Sequence, residues 1–124
     1  MSMKPLKLMA FAATSKPKAA RAFYEDIVGA VFVEDSPFAL VFDVGGVMLR
    51  VQKVDPFTPH PFTQLGFEVD DIRAAVAALR ARGAVFEKFP FPGQDGDSIW
   101  AAPGGALIAW FKDPDGNTLS LTEL

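Results

Sequence analysis

Few side chains in this sequence can do acid–base, nucleophilic or metal chemistry alone. There is one histidine, His60, and no cysteine. The second fact removes thiol nucleophiles, disulfides and thiolate metal sites. His60 lies in DPFTPHPF (55–62), which holds three prolines in eight residues. It reads as a solvated linker residue, with a ligand or catalytic role as the alternative. What remains is carboxylate, guanidinium and aromatic chemistry. In a strand, successive side chains point to opposite faces. VMLRVQ (47–52) therefore puts Met48, Arg50 and Gln52 on one face and Val47, Leu49 and Val51 on the other. QLGFEV (64–69) separates Gln64, Gly66 and Glu68 from Leu65, Phe67 and Val69. TLSLT (118–122) separates Thr118, Ser120 and Thr122 from two leucines. Met9 and Phe11 from an earlier strand, and Ile108 and Trp110 from a later one, belong with the mixed faces.

The elements that must carry these faces follow from breakers and periodicity. Leu6–Ala13 reads as a strand. Ser15-Lys16-Pro17 starts a helix, with a small polar cap and proline in the first turn. Ala20, Phe23, Tyr24 and Ile27 form its apolar stripe, and Gly29 stops it. Strands follow at 30–35, 38–44 and 47–54, the last two joined by a tight turn at Gly45-Gly46. After the linker at 55–62 the order repeats. A strand at 64–69 leads to a helix capped by Asp70 or Asp71, with the stripe Ile72, Ala75, Val76 and Leu79, stopped by Gly83. Strands at 85–89, 107–112 and 118–121 complete it, with an extra Gly/Pro-rich loop at 90–105. GAVF occurs at 29–32 and again at 83–86, 54 positions on. Ala20, Tyr24 and Ile27 match Ile72, Val76 and Leu79 at a spacing of 52. One βαβββ unit used twice accounts for both. DPDGN (113–117) begins like a calcium loop, but the sixth and twelfth positions are Thr118 and Leu124 rather than Gly and Glu, so it reads as a hairpin turn.

Composition sets the outer bounds. The 124 residues make one domain, or two small halves: module 1 about 6–54, module 2 about 63–124. Half the chain is hydrophobic and twelve residues are Phe, enough to fill a core and line a cavity. A net charge of −3 offers no basic stripe for nucleic acid. No apolar run approaches the roughly 20 residues that span a bilayer. The start, MSMKPLKLMAFAA, alternates like a strand and reads as structure rather than signal peptide. A cytoplasmic location follows by default.

AFYEDIVGA (22–30), GFEVDDIRAAVAALRARGAVF (66–86) and AWFKDPDGNTLSL (109–121) resemble the vicinal oxygen chelate superfamily, which includes glyoxalase I, bleomycin-resistance proteins and extradiol dioxygenases. The resemblance implies an α+β fold of two tandem βαβββ modules, curved mixed sheets around a cleft, and a homodimer. It also implies a divalent metal held by His, Glu or Gln at four positions. Carried over one at a time, those positions fall on Met9, Arg50, Gln64 and Ser120. Only Gln64 suits a hard or borderline ion, so no metal and no cofactor is expected.

The resemblance turns the mixed faces into one cleft lining: Met9, Phe11, Met48, Ile108 and Trp110, with Arg50, Gln52, Gln64, Glu68 and Ser120 as polar points. Apolar walls with a few fixed polar groups describe a small-molecule site. Trp and Phe stack a flat aromatic guest. Arg50 either grips a carboxylate or phosphate in bidentate fashion or pairs with Glu68 on a solvated face. Trp110 lines the pocket or packs as core. The loop residues Phe89, Phe91, Ile99 and Trp100 cover the cleft, bury against a second chain, or pack locally over the sheet edge.

The leading expectation is a metal-independent protein that sequesters a small apolar or aromatic compound, in the manner of bleomycin-resistance proteins. The alternatives are a metal-free enzyme, with Glu68 as general base and Arg50 as anion stabiliser, a glyoxalase-type metal-dependent lyase or dioxygenase, and a partner-binding module.

Overall fold

Glycine and proline set the joints of this chain, and the apolar rows between them set its faces. The computed structural model describes residues 3–90 and 92–124; Phe91 and the start at Met1-Ser2 lie outside the described residues. Contacts divide the chain into two units, Met1–Phe57 and Thr58–Leu124. In the first, β1 (Met9–Thr14) leads into α1 (Pro17–Ala22), which continues as a π-helical segment (Phe23–Val28). β2 (Val31–Asp35), β3 (Ala39–Val44) and β4 (Val47–Lys53) follow. In the second, β5 (Thr63–Glu68) leads into α2 (Ile72–Ala81), then β6 (Trp100–Ala101), β7 (Leu107–Lys112) and β8 (Thr118–Glu123). The sheets are β1-β4-β3-β2 and β5-β8-β7-β6. In each the first strand runs parallel to the last and the other pairs are antiparallel. This is the α+β, twice-used βαβββ arrangement, two mixed four-stranded sheets with no closed barrel. Among the described residues no helix is long and apolar enough to cross a membrane.

Each helix covers one sheet face. Tyr24 and Phe42 are fully buried with ring centroids 5.6 Å apart, and Ala20, Leu40, Leu49 and Val51 close around them. In the second unit Ile72 and Val76 of α2 are buried with Leu119, Leu121 and Phe111, and Phe86 lies 5.3 Å from the Phe111 ring. Each large apolar side chain removed from water in these rows stabilises its unit by about 1.5–3 kcal/mol. Gly45 and Gly46 both have positive φ, as a two-residue turn between Val44 and Val47 requires. Gly29, at φ 84°, ends the π-helical segment.

Several boundaries differ from the sequence expectation, each for a local reason. β1 begins at Met9, not Leu6, because its ladder with β4 opens at Met9–Met48; Leu6 and Leu8 are exposed. The cap of α1 is not a side chain at its N-cap position: Lys16 N–H donates to Thr14 Oγ1 at 2.9 Å, from a buried threonine at the end of β1. The strand expected at 85–89 is not formed. Phe86 makes one isolated bridge to Phe111, and the Phe89 N–H is taken by Gln94 Oε1 at 2.7 Å rather than by a strand carbonyl. The strand that fills this place is β6, inside the stretch read as an extra loop; Trp100 pairs with Ile108. Asp71 caps α2 as expected, its carboxylate accepting from Ala74 N–H at 3.1 Å.

Candidate functional site

On the first sheet the register fixes which side chains share the face away from the helix. Met9, Met48 and Asp43 lie in one cross-strand row, Phe11, Arg50 and Val41 in the next, and Ala13, Gln52 and Ala39 in the third. Glu34 extends the middle row on β2, after a bulge between Phe32 and Glu34. The residues between these rows, Leu40, Phe42, Leu49 and Val51, are buried on the helix side. Met9, Phe11 and Met48 remain 40–44% exposed, which is high for large apolar groups side by side. Arg50 is half-buried among them, and its side chain makes no hydrogen bond or ion pair among the described residues. A groove of about 670 Å³ runs over this sheet, walled by Leu6, Leu8, Met9, Val33, Val41 and Met48, with Lys7 and Asp43 as its charged groups.

The second sheet presents an aromatic face. Gly66, Ser120 and Trp110 share one row; Glu68, Thr122, Ile108 and Trp100 share the next. The Trp110 ring lies 5.9 Å from Trp100, tilted by 34°, and 5.3 Å from Phe89, edge to face. Its indole N–H donates to Thr63 Oγ1 at 3.2 Å. Trp110 stands on β7 and Thr63 on β5, with β8 between them. The indole therefore passes over Ser120, its partner on β8, and Ser120 is only 6% exposed. Gly66 leaves room for this: a Cβ there would lie 3.1 Å from Ser120 Oγ.

Sequence alternation puts Gln64 on this open face; the structure puts Gln64 at a bulge, between Thr63 paired with Thr118 and Leu65 paired with Leu119. Thr63 accepts the Trp110 indole N–H. No residue type in the sequence signals that bulge, so Thr63 goes unread. Val41 also joins the first sheet's middle row unannounced, because LVF at 40–42 is apolar throughout and shows no alternation.

Ile99 is buried, and Trp100, next in line, turns to the open face. His60 stacks on Phe62 within the linker, centroids 5.5 Å apart and ring planes nearly parallel. DPDGN is a hairpin turn: Asp113 accepts from Asp115 N–H, Asn117 N–H and Asn117 Nδ2, and both Asp113 and Asn117 are buried.

The metal positions carried over from the family occupy equivalent places in the two sheets. Met9 stands two residues before Phe11, which faces Arg50; Gln64 stands two before Gly66, which faces Ser120. A thioether, a guanidinium, an amide and a buried hydroxyl do not fit a divalent ion, and the fixed positive charge of Arg50 opposes one. Among the described residues no group of three or more His, Cys, Asp or Glu is placed to hold a metal.

Residues 8–121 match the Glyoxalase/Bleomycin resistance protein/Dioxygenase superfamily. No curated protein matches the chain. Among solved structures it is similar to a superfamily member from Sphaerobacter thermophilus, at 24% identity, covering 96% of this chain and 98% of that one, with a TM-score of 0.74. It is similar to lactoylglutathione lyase from Agrobacterium tumefaciens at 21% identity, covering 97% and 95%, with a TM-score of 0.72. A glyoxalase/bleomycin resistance protein/dioxygenase from Nocardioides aligns at 19% identity over 99% and 85%, with a TM-score of 0.75. Identities this low establish the fold and leave activity to the site.

Proposed function

The chain belongs to the Glyoxalase/Bleomycin resistance protein/Dioxygenase superfamily, and from that premise we propose that it binds a small, flat, largely aromatic molecule without a metal. The observation that carries the reading is the three-ring platform of Trp110, Trp100 and Phe89 on the open face of the second sheet. Stacking on such rings is tolerant of chemical detail and strong for planar guests. The polar points beside it on its own sheet, Glu68, Thr122 and Ser120, orient a guest rather than transform it. On the first sheet, taken by itself, Arg50 among Phe11, Met48 and Val41 suits an anion held by a guanidinium fork. We further propose a homodimer, supported by the apolar groups left exposed on the first unit: Met9, Phe11, Met48, Val31 and Val33.

Native mass spectrometry on untagged protein purified without chelator tests this reading. An organic adduct, or a clean metal-free mass that accepts 2-naphthoate at one per chain, supports it. A stoichiometric divalent ion overturns it and moves the reading of a metal-dependent lyase or dioxygenase to first place.

A further inference from the structure

We propose that Gln94 and Asp95 are positioning residues: they lock the loop after α2 so that Phe89 and Trp100 are held against Trp110. The inference rests on the reading that this platform receives an aromatic guest. Phe89 and Trp100 enter the platform from opposite ends of a stretch with almost no ladder of its own. Aromatic side chains so placed keep a fixed angle only if their backbones are fixed. Gln94 does this with its whole amide. Its Oε1 accepts from Phe89 N–H at 2.7 Å, and its Nε2 donates to Glu87 C=O at 3.0 Å and Ser98 C=O at 2.9 Å. One side chain thus joins the segment that bears Phe89 to the segment that delivers Trp100.

Asp95 fixes the other side of the loop. Oδ1 accepts from Asp97 N–H at 2.9 Å and Ile99 N–H at 3.1 Å; Oδ2 takes Arg73 Nη2 of α2 at 2.8 Å. Arg80, one face along the same helix, donates to Asp97 C=O at 3.0 Å. Lys88 adds a bond to the Asp95 carbonyl. These bonds hold Ser98 at φ 66°, in the left-handed region that a non-glycine residue enters only when its surroundings impose it. The result is a phase setting. Ile99 is driven into the core, so alternation delivers Trp100 to the platform. Gly93 completes the seat: a Cβ there would lie 3.0 Å from Trp100 Cδ1.

A residue that merely stabilises the unit would change its melting temperature and nothing else. The test therefore reads the rings. Two indoles 5.9 Å apart couple excitonically, and the circular dichroism couplet of the ligand-free protein reports their mutual angle. The variants are Gln94→Ala and the milder Gln94→Glu, which keeps an acceptor for Phe89 N–H but loses both donors; Arg21→Ala, which breaks an ion pair to Glu25 in the first unit, is the control. We expect both Gln94 variants to lose the couplet and to bind 2-naphthoate about tenfold more weakly by calorimetry, a loss in keeping with two broken hydrogen bonds, while the control keeps both. A folded Gln94→Glu protein with the wild-type couplet overturns the inference, as does loss of the couplet with unchanged affinity. Should the wild type bind no 2-naphthoate, the function reading falls, and the couplet alone still decides whether Gln94 positions the rings.

Discussion

Trp110 can reach across β8 only because three neighbours permit it: Gly66 offers no side chain, Ser120 is small enough to lie beneath the ring, and Thr63 accepts the indole N–H. Trp110→Ala removes the central ring of the platform, and calorimetric titration with 2-naphthoate should show affinity falling by about tenfold or more, on the order of 1–2 kcal/mol for lost ring contact. Arg50 predicts a different signature. Its guanidinium has no carboxylate partner among the described residues, so Arg50→Ala should cost little in melting temperature. It should instead weaken the uptake of a small carboxylate such as acetate on the first sheet's open face by about 1.5 kcal/mol, the value of a charge-assisted bond. Equal uptake by wild type and variant would detach Arg50 from anion binding. At this scale strict alternation is what made the sequence readable. It separates Arg50 from Leu49 and Ser120 from Leu119 without any structure, and it fails where the backbone departs from period two. At the β5 bulge it is Thr63 that pairs with Thr118 and accepts the Trp110 indole N–H.

The elements differ in how far local chemistry determines them. α2 is announced by its cap and its stripe, and both are present: Asp71 accepts from Ala74 N–H, and Ile72, Val76 and Leu79 are buried. Asp71→Ala should lower stability by about 1 kcal/mol, measured by urea unfolding, with the ring couplet unchanged. β6 was illegible for the opposite reason. Two residues among Gly, Pro and Asp carry no strand pattern, and the pairing of Trp100 with Ile108 depends on side chains of Gln94 and Asp95 that no periodicity encodes. The Asp95 clamp predicts a pH response. The Arg73 hydrogen bond, aided by the Ile99 and Asp97 N–H groups, holds the Asp95 carboxyl below its ordinary value of 3.8. A carboxylate whose folded pKa is depressed contributes its stabilisation above the unfolded value, and loses it as pH falls through the folded one. The couplet should therefore be constant from neutral pH down to about 4 and fade below it. In Asp95→Asn it should be weaker at neutral pH and insensitive to acid. Asp97, which also faces Arg73 and Arg80, and Lys88, bonded to the Asp95 carbonyl, are unchanged in that variant.

The whole chain repeats a register as well as an order of strands. Arg50 faces Phe11 and Val41 in the first sheet as Ser120 faces Gly66 and Trp110 in the second. The repeat was visible in the sequence as GAVF and as matching helix stripes, because duplication preserves the apolar rows that each unit needs to bury. The open faces differ: the first carries exposed methionines, a phenylalanine and an arginine, the second three packed aromatic rings. The four positions that the family resemblance gives for metal ligands are Met9 and Arg50 on one sheet and Gln64 and Ser120 on the other, a set whose chemistry does not suit a divalent ion. Exhaustive chelator dialysis should therefore leave the melting temperature and the affinity for 2-naphthoate unchanged, since a bound ion would stabilise the folded state by mass action and its removal would lower the midpoint. Adding zinc, nickel or manganese afterwards should raise neither. A midpoint that falls on dialysis and returns with one specific ion would mean that these four positions are not where this chain keeps its ligands.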